Sequence, residues 1–361
     1  ESWVSERSRN PSRRCSTSSS TPSRSGNFAL IFFRAFVILF ALIAAAPASA
    51  VEFGVSSVVA ELELPIDLVD EDVPLGGLSG LAYDRDCDLF YAVSDDRGHL
   101  APPRVYVLKI EADPPVVRPL EVITLRDEDG EPFEPELIDA EAIALAPDGT
   151  LWIATEGISH RMIPPRIMGF RLDGSLQLEL AIPPAYLPDE EGRGVRSNNG
   201  FEGLSVSPDG SKIIAAVESA LVQDGPEADF EQGTVVRLLV FDADSRRAVS
   251  ERGYHVEPVP DEPRPSNAYR STGVSEILAL DGHRVLVVER SFSAGFGNRV
   301  RLYLADLTTG DDVTGAVSLP PDAEPVEKLL VADLADLGVD PDNLEGMTFG
   351  PPTADGRPTL V

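Results

Sequence analysis

Acidic residues recur at two fixed places in this sequence. Asp139, Glu141, Glu202, Glu276 and Glu345 stand at the entry to a short apolar run, and Asp95, Asp96, Glu156, Glu218 and Glu289 close the apolar run that follows. Asn198, Asn199 and Asn343 lie beside them. Carboxylate and amide oxygens suit hard cations such as Ca²⁺ or Mg²⁺, and no cluster of softer donors competes. Arginines follow at a third place, Arg97, Arg104, Arg166, Arg237, Arg290, Arg299 and Arg301, just before or within the next strand. A ring of ion pairs between structural units would use the same alternation of acid and base, so a structural and a cation-binding role both stay open. Nucleophilic chemistry has little to work with. No Gly-x-Ser-x-Gly elbow, Gly-rich phosphate loop or His-x-x-x-His pair occurs, and His255 and His283 are scattered. His99 and His160 fall in equivalent loops and are the candidate general bases. Ser79 stands where other units carry Glu.

The elements that must position these residues come from an internal repeat. Five segments share one template of apolar strand, turn and second apolar strand ending in an acid. They begin at Leu78, Ala140, Phe201, Val274 and Leu344. Asp-Gly sits between the two runs at Asp148-Gly149, Asp209-Gly210 and Asp281-Gly282, a strong hairpin signal. Two more strand-like runs follow each hairpin, for example Arg104–Ile110 and Leu120–Leu125. Four antiparallel strands repeated about an axis make an all-β propeller. The expectation is five blades, or six if an insertion hides another, with the last blade cut at Val361. Ser56–Leu64 is the spare strand that would complete it. In such a blade the entry to the innermost strand and the loop after the second strand share one face, so both acidic positions converge on one mouth. The long polar segment from Gln223 to Gly233 would overhang that mouth as a lid or specificity element.

The first fifty residues differ from the rest. An apolar run from Ala35 to Ala46 follows Arg34 and ends near Ala48-Ser49-Ala50, the small-x-small pattern of a leader cleavage site. The run is shorter than the roughly 18–20 residues a membrane span needs. Residues 1–50 are expected to be an upstream region and secretory leader, and 51–361 one secreted or periplasmic domain. Residues 1–50 carry 6 of the 30 basic and 2 of the 60 acidic residues, which leaves 24 against 58. That charge excludes nucleic acid as a partner and favours cations. Cys15 lies in the upstream region, so Cys87 is expected to have no partner in the exported domain.

Six segments in order, Gly77–Ala82, Ser94–Gly98, Asp139–Ile143, Asn199–Leu204, Glu289–Phe292 and Asn343–Met347, resemble the bacterial phytase-like family, also described as the esterase-like activity of phytase domain. The resemblance implies a propeller that hydrolyses phosphate or carboxylate esters with calcium. On that basis Glu141, Glu156, Glu202, Glu218, Glu289, Glu345 and Asp95 would hold Ca²⁺, and Arg97, Arg104, Arg166, Arg290 and Arg299 would bind the substrate. The implied partners are a small-molecule ester and a divalent cation on a monomer with no membrane span after leader removal. A calcium-dependent lactonase-type hydrolase and a non-catalytic binding propeller are the alternatives.

Overall fold

The computed structural model describes residues 35–45, 52–64, 73, 75–112, 114–353 and 355–361. Its strands, in chain order, are β1 (Ala35–Ala45), β2 (Glu52–Leu64), β3 (Leu78–Asp84), β4 (Leu89–Ser94), β5 (Arg104–Ala112), β6 (Pro115–Thr124), β7 (Ala140–Leu145), β8 (Leu151–Thr155), β9 (Ile167–Phe170) and β10 (Leu176–Glu179). There follow β11 (Phe201–Val206), β12 (Lys212–Val217), β13 (Thr234–Asp242), β14 (Arg247–Val256), β15 (Arg270–Ala279), β16 (Arg284–Ser293), β17 (Gly297–Asp306), β18 (Glu327–Asp333), β19 (Phe349–Gly350) and β20 (Thr359–Leu360).

Four antiparallel sheets are each built from consecutive strands: β3–β6, β7–β10, β11–β14 and β15–β18. These are blades 1 to 4 of a β-propeller. A fifth four-stranded sheet has the order β19-β20-β1-β2 and so unites the two ends of the described chain. The innermost strands β3, β7, β11 and β15 pack side by side, β19 packs beside β3, and β2 touches both β6 and β18. The fifth sheet thus lies between blades 4 and 1.

The hairpin turns are fixed by local chemistry. Asp148, Asp209 and Asp281 each accept backbone N–H bonds from the residues just after them, and Gly149 and Gly210 take positive φ angles of 95° and 75° that a side chain would resist. Strand alternation then sends successive side chains to opposite neighbours. Val105 and Val107 of blade 1 join a core with Ile143, Ile153 and Met168 of blade 2. Tyr106 and Leu108, one residue out of phase, turn the other way into a core that includes Val361. The cores therefore lie between blades, and each blade supports the next.

The apolar run has a place in a sheet, and one sequence expectation changes, that of Cys87. The apolar run read as the centre of a leader is β1, paired with β2 over its whole length and with β20 at Phe40–Leu360 and Ala41–Thr359. Its Val, Ile, Leu and Phe content is that of a strand former, and β20 offers it an open edge. The remainder of residues 1–50, with the cleavage-type tripeptide, lies outside the described residues. Cys87, expected to be alone, is disulfide-bonded; the sequence's other cysteine, Cys15, is outside the described residues.

A carboxylate cluster where the blades meet

The register of the inner hairpins explains why acids gather at the mouth. Each of β3, β7, β11 and β15 carries a β-bulge, at its entry in the first three and four residues in for β15: between Leu78 and Gly80, Ala140 and Ala142, Phe201 and Gly203, and Val274 and Glu276. The extra residue is Ser79, Glu141, Glu202 or Ser275 respectively. A bulge re-aims one side chain out of the strand's alternation, and here it does so four times around the ring. Ser94, Thr155, Val217 and Glu289 of the second strands pair with Leu78, Ala140, Phe201 and Val274, and in blades 1 to 3 they end those strands. The next residue in each chain is Asp95, Glu156, Glu218 or Arg290. Blade 4 is therefore inverted, with Ser275 and Arg290 where blades 2 and 3 carry glutamates.

The carboxylates that result are packed together. Asp139, Glu141 and Glu156 bring one oxygen each within 4.8 Å of one another, and Glu156, Glu202 and Glu218 do the same, so Glu156 belongs to both groups. Asp139 and Glu156 are buried, as are Glu141 and Glu202. Ser79 Oγ donates to Glu141 Oε2 at 2.6 Å, Gly200 N to Glu156 Oε1 at 3.3 Å and Asn199 Nδ2 to Glu218 Oε2 at 2.6 Å. Asp139 Oδ1 and Glu202 Oε2 are buried without a hydrogen-bond partner. Two guanidinium groups flank the cluster. Arg97 Nη2 lies 2.5 Å from Asp139 Oδ2 and 3.8 Å from Glu156 Oε2, and donates to Asn198 Oδ1 at 2.6 Å. Arg290 meets Glu345 at 2.5 Å and Glu218 at 3.4 Å, which ties blade 4 to blade 3 and to the segment leading into β19. Asn343 Nδ2 also donates to Glu345 Oε1.

Burial and mutual repulsion raise the carboxyl pKa values. Glu156 is pushed up to about 8, by burial first and then by Asp139 and Glu218. Asp95 rises to about 6 through burial and the charges of Glu345 and Asp139. Glu141 and Glu202 are raised well above the usual range, each chiefly by burial and then by neighbouring acids. Glu218 is raised by burial despite Arg290 and Asn199. For Arg290, burial opposes the charge, but Glu345, Glu218 and Glu202 outweigh it and raise the pKa. Two guanidiniums cannot neutralise this many carboxylates. Burial and this excess of negative charge favour the protonated form of the cluster's carboxyl groups.

Other expected site residues are elsewhere. Glu289 points away from the cluster, because it precedes Arg290 and strand alternation gives it the opposite face. Its oxygens take Tyr254 Oη at 2.7 Å, Glu257 N at 3.0 Å and Lys328 Nζ at 2.7 Å, so it fastens blade 4 to blade 3 rather than joining the cluster. Glu276 is one residue past its bulge, where the other blades have Gly80, Ala142 and Gly203. A Cβ on Gly80 would come within 2.8 Å of Ile143 N, and one on Gly203 within 3.1 Å of Ile277 N, so inner strands touch at this level. The Glu276 carboxyl accepts from Leu204 N and Ile277 N and joins inner strands there; burial raises its pKa well above normal despite these amides.

The third-strand arginines are pins within the blades. Arg104 is buried against Asp96 at 2.7 Å and Tyr106 Oη at 2.7 Å. Arg166 forms a two-pronged pair with Glu179, and Arg299 and Arg301 converge on Asp333. Arg104, Arg166 and Arg299 are thus each paired with a carboxylate outside the cluster. His99 pairs with Glu136 and His160 with Ser197, both at exposed positions. Neither contacts a carboxylate of the cluster among the hydrogen bonds formed. The expected lid is pinned: Asp224 is held by Arg237, Asp229 by Arg270, and Gln223 donates to Ala185 O and Val317 O. Sequence reasoning named Arg290 beside the acids but missed the bulge and Ser79's role as donor to Glu141.

The model of the phytase-like family, described as esterase-like activity of phytase, matches residues 73–361. The chain belongs to this family. All the carboxylates and both arginines of the cluster fall within the matched region of this phytase-like propeller. A curated relative, an uncharacterized secreted protein of Arthroderma benhamiae, is 29% identical over 181 residues, covering 44% of this chain and 35% of the relative. The chain thus spans about a third of that relative's length. Among solved structures it is similar to the periplasmic gluconolactonase of Pseudomonas aeruginosa, at 12% identity over 82% of this chain and 99% of that chain, with a TM-score of 0.34. It is also similar to the Malassezia sympodialis allergen Mala s 1, at 13% identity over 82% and 75%, with a TM-score of 0.37. Among the described residues, no helix is long and apolar enough to cross a membrane.

Proposed function

We propose that this phytase-like propeller is an exported hydrolase of phosphate or carboxylate esters that works with calcium held on the Glu156 cluster. The observation that carries the proposal is a buried glutamate shared by two carboxylate triads, with unpartnered oxygens on Asp139 and Glu202 beside it. An all-oxygen, net negative donor set fits a hard divalent cation and does not fit a soft one. Asp139, Glu141, Glu156, Glu202 and Glu218 would hold it. Bound calcium supplies Lewis-acid polarisation of the ester oxygen and offsets negative charge that would repel an anion. Were Glu218 to share its charge with a cation, Arg290 Nη2, which donates to Glu218 at 3.4 Å, would be available to an anionic ester oxygen. Arg97 holds Asp139 and Glu156 in place from the opposite flank.

Export rests on the apolar run, the Ala48-Ser49-Ala50 tripeptide and the secreted relative. We further propose that the ring closes at five blades and that the protein acts as a monomer. Turnover of a phosphomonoester and of a short-chain carboxylate ester, each with calcium and with EDTA, tests the activity. EDTA-sensitive release from one of them supports the proposal and names the ester class; calcium binding without turnover of either would leave a binding propeller. The N-terminal mass of secreted protein tests export: Val51 as the first residue means that β1 leaves with the leader, whereas a first residue at or before Ala35 keeps β1 between β20 and β2.

A further inference from the structure

Blade 4 differs from its neighbours in height as well as charge. The inner hairpins of blades 1 to 3 stop pairing at Leu78–Ser94, Ala140–Thr155 and Phe201–Val217. The β15–β16 hairpin passes the equivalent pair, Val274–Glu289, and continues through Gly273–Arg290, Thr272–Ser291, Ser271–Phe292 and Arg270–Ser293. Four further pairs at about 3.4 Å per residue extend it by about 14 Å beyond the level where pairing ends in the other inner hairpins. Strand alternation puts Phe292 on the same face of the hairpin as Arg290, two residues farther out. Tyr269, just before β15, packs on Phe292 with ring centroids 5.8 Å apart and is 70% exposed. The tip is braced: Ala294 N donates to Tyr269 O at 3.0 Å and Arg264 N to Ala294 O at 2.8 Å. The Tyr269 ring is therefore held on a fixed backbone with one side open, directly outward of the one cluster arginine that blade 4 contributes.

We infer that this raised hairpin is the wall of the substrate site, and that the preferred substrate is an ester carrying an aryl group. The ring would lie on Tyr269 and Phe292 while the anionic ester oxygens reach Arg290 and the carboxylate-held cation. Offset or edge-to-face contact with an aromatic pair stabilises a bound ring beyond the area it covers. Spacing favours one molecule making both contacts, because Arg290 and Phe292 are only about 7 Å apart along the strand. This inference rests on the proposed cation-assisted ester site.

Binding of phenylphosphonate and methylphosphonate to the full chain, with calcium and with EDTA, tests it by calorimetry. Both probes present the same anion, which also resembles the tetrahedral species of carboxylate ester hydrolysis, and neither is turned over. The expected result is calcium-dependent binding with phenylphosphonate favoured by about three- to tenfold, a preference that falls to near unity in Tyr269→Ala and returns in Tyr269→Phe. Tyr269 is largely exposed, so the alanine variant should fold. Calcium-dependent binding of both probes with equal affinity, or an undiminished preference in Tyr269→Ala, would overturn the aryl wall and leave the cation site standing. Absence of calcium-dependent binding for either probe would overturn both.

Discussion

Two sets of charged residues encircle this propeller, and they do opposite things. On the third strands each arginine has a carboxylate within its own blade or its loops: Arg104 with Asp96, Arg166 with Glu179, Arg237 with Asp224 and Glu251, and Arg299 and Arg301 with Asp333. Charge is balanced locally, and the pairs brace the sheets. Where the inner strands meet, acids come from different blades and outnumber the two arginines beside them. The imbalance leaves buried oxygens unpartnered and carboxyl groups titrating far above their usual range. Balanced charge marks the frame of this molecule and unbalanced charge marks its candidate site.

Removing a pin should produce the largest loss of stability. Arg237 is completely buried between Asp224 and Glu251. Arg237→Leu leaves both carboxylates without their cation and is expected to cost about 3–5 kcal/mol in urea unfolding, with calcium binding retained by whatever remains folded. Full stability in that variant would mean that the pins do not brace the blades. Glu156→Gln should show the opposite pattern. Calcium affinity is expected to fall by at least about tenfold, because the shared ligand loses its charge, while the calcium-free protein becomes more heat-resistant at pH 8. A lower melting temperature would show that Glu156 is itself a pin.

The pH dependence sharpens the same contrast. Glu156 titrates near 8 in the folded protein and Asp95 near 6, against ordinary values of 4.5 and 3.8. Between each pair of values the folded chain holds a proton that the unfolded chain has lost, so these groups make calcium-free stability fall as pH rises through that window. Below the ordinary values both states are protonated and the effect vanishes. Urea midpoints at pH 5 and pH 8 in EDTA should show this fall, and calcium should reduce it. The smallest effect is expected from Arg166→Gln. Its pair with Glu179 is partly exposed, and its removal should cost no more than about 1 kcal/mol.

The repeat made much of this fold legible before any coordinates. Asp-Gly turns and paired apolar runs located β7–β8, β11–β12 and β15–β16, and the converging carboxylates followed from strand direction. What the repeat concealed was a single residue. A bulge inserts one position without disturbing the apolar pattern on either side, so Glu276 was matched to Glu141 and Glu202 although Ser275 is their equivalent. The same slip put Glu289 in the place of Arg290. Aligning Gly273 with Gly77 and Gly200 would have corrected both, since each stands immediately before the residue that opens its bulge. The arginines were harder to sort, because a pin and a site residue differ only in which acid is within reach, and that depends on packing between blades. The use of Ala35–Ala45 as a strand was hidden because an apolar run suits a leader and a sheet equally well.

The central claim, that the unbalanced carboxylates take a divalent cation in exchange for protons, is tested most directly by calorimetric titration of calcium at pH 6.5 in two buffers of different ionisation enthalpy. Saturable binding whose heat changes with the buffer, in the direction of proton release, is the expected result, with most of the released proton lost in Glu156→Gln. Absence of binding, or binding with the same heat in both buffers, would contradict the claim.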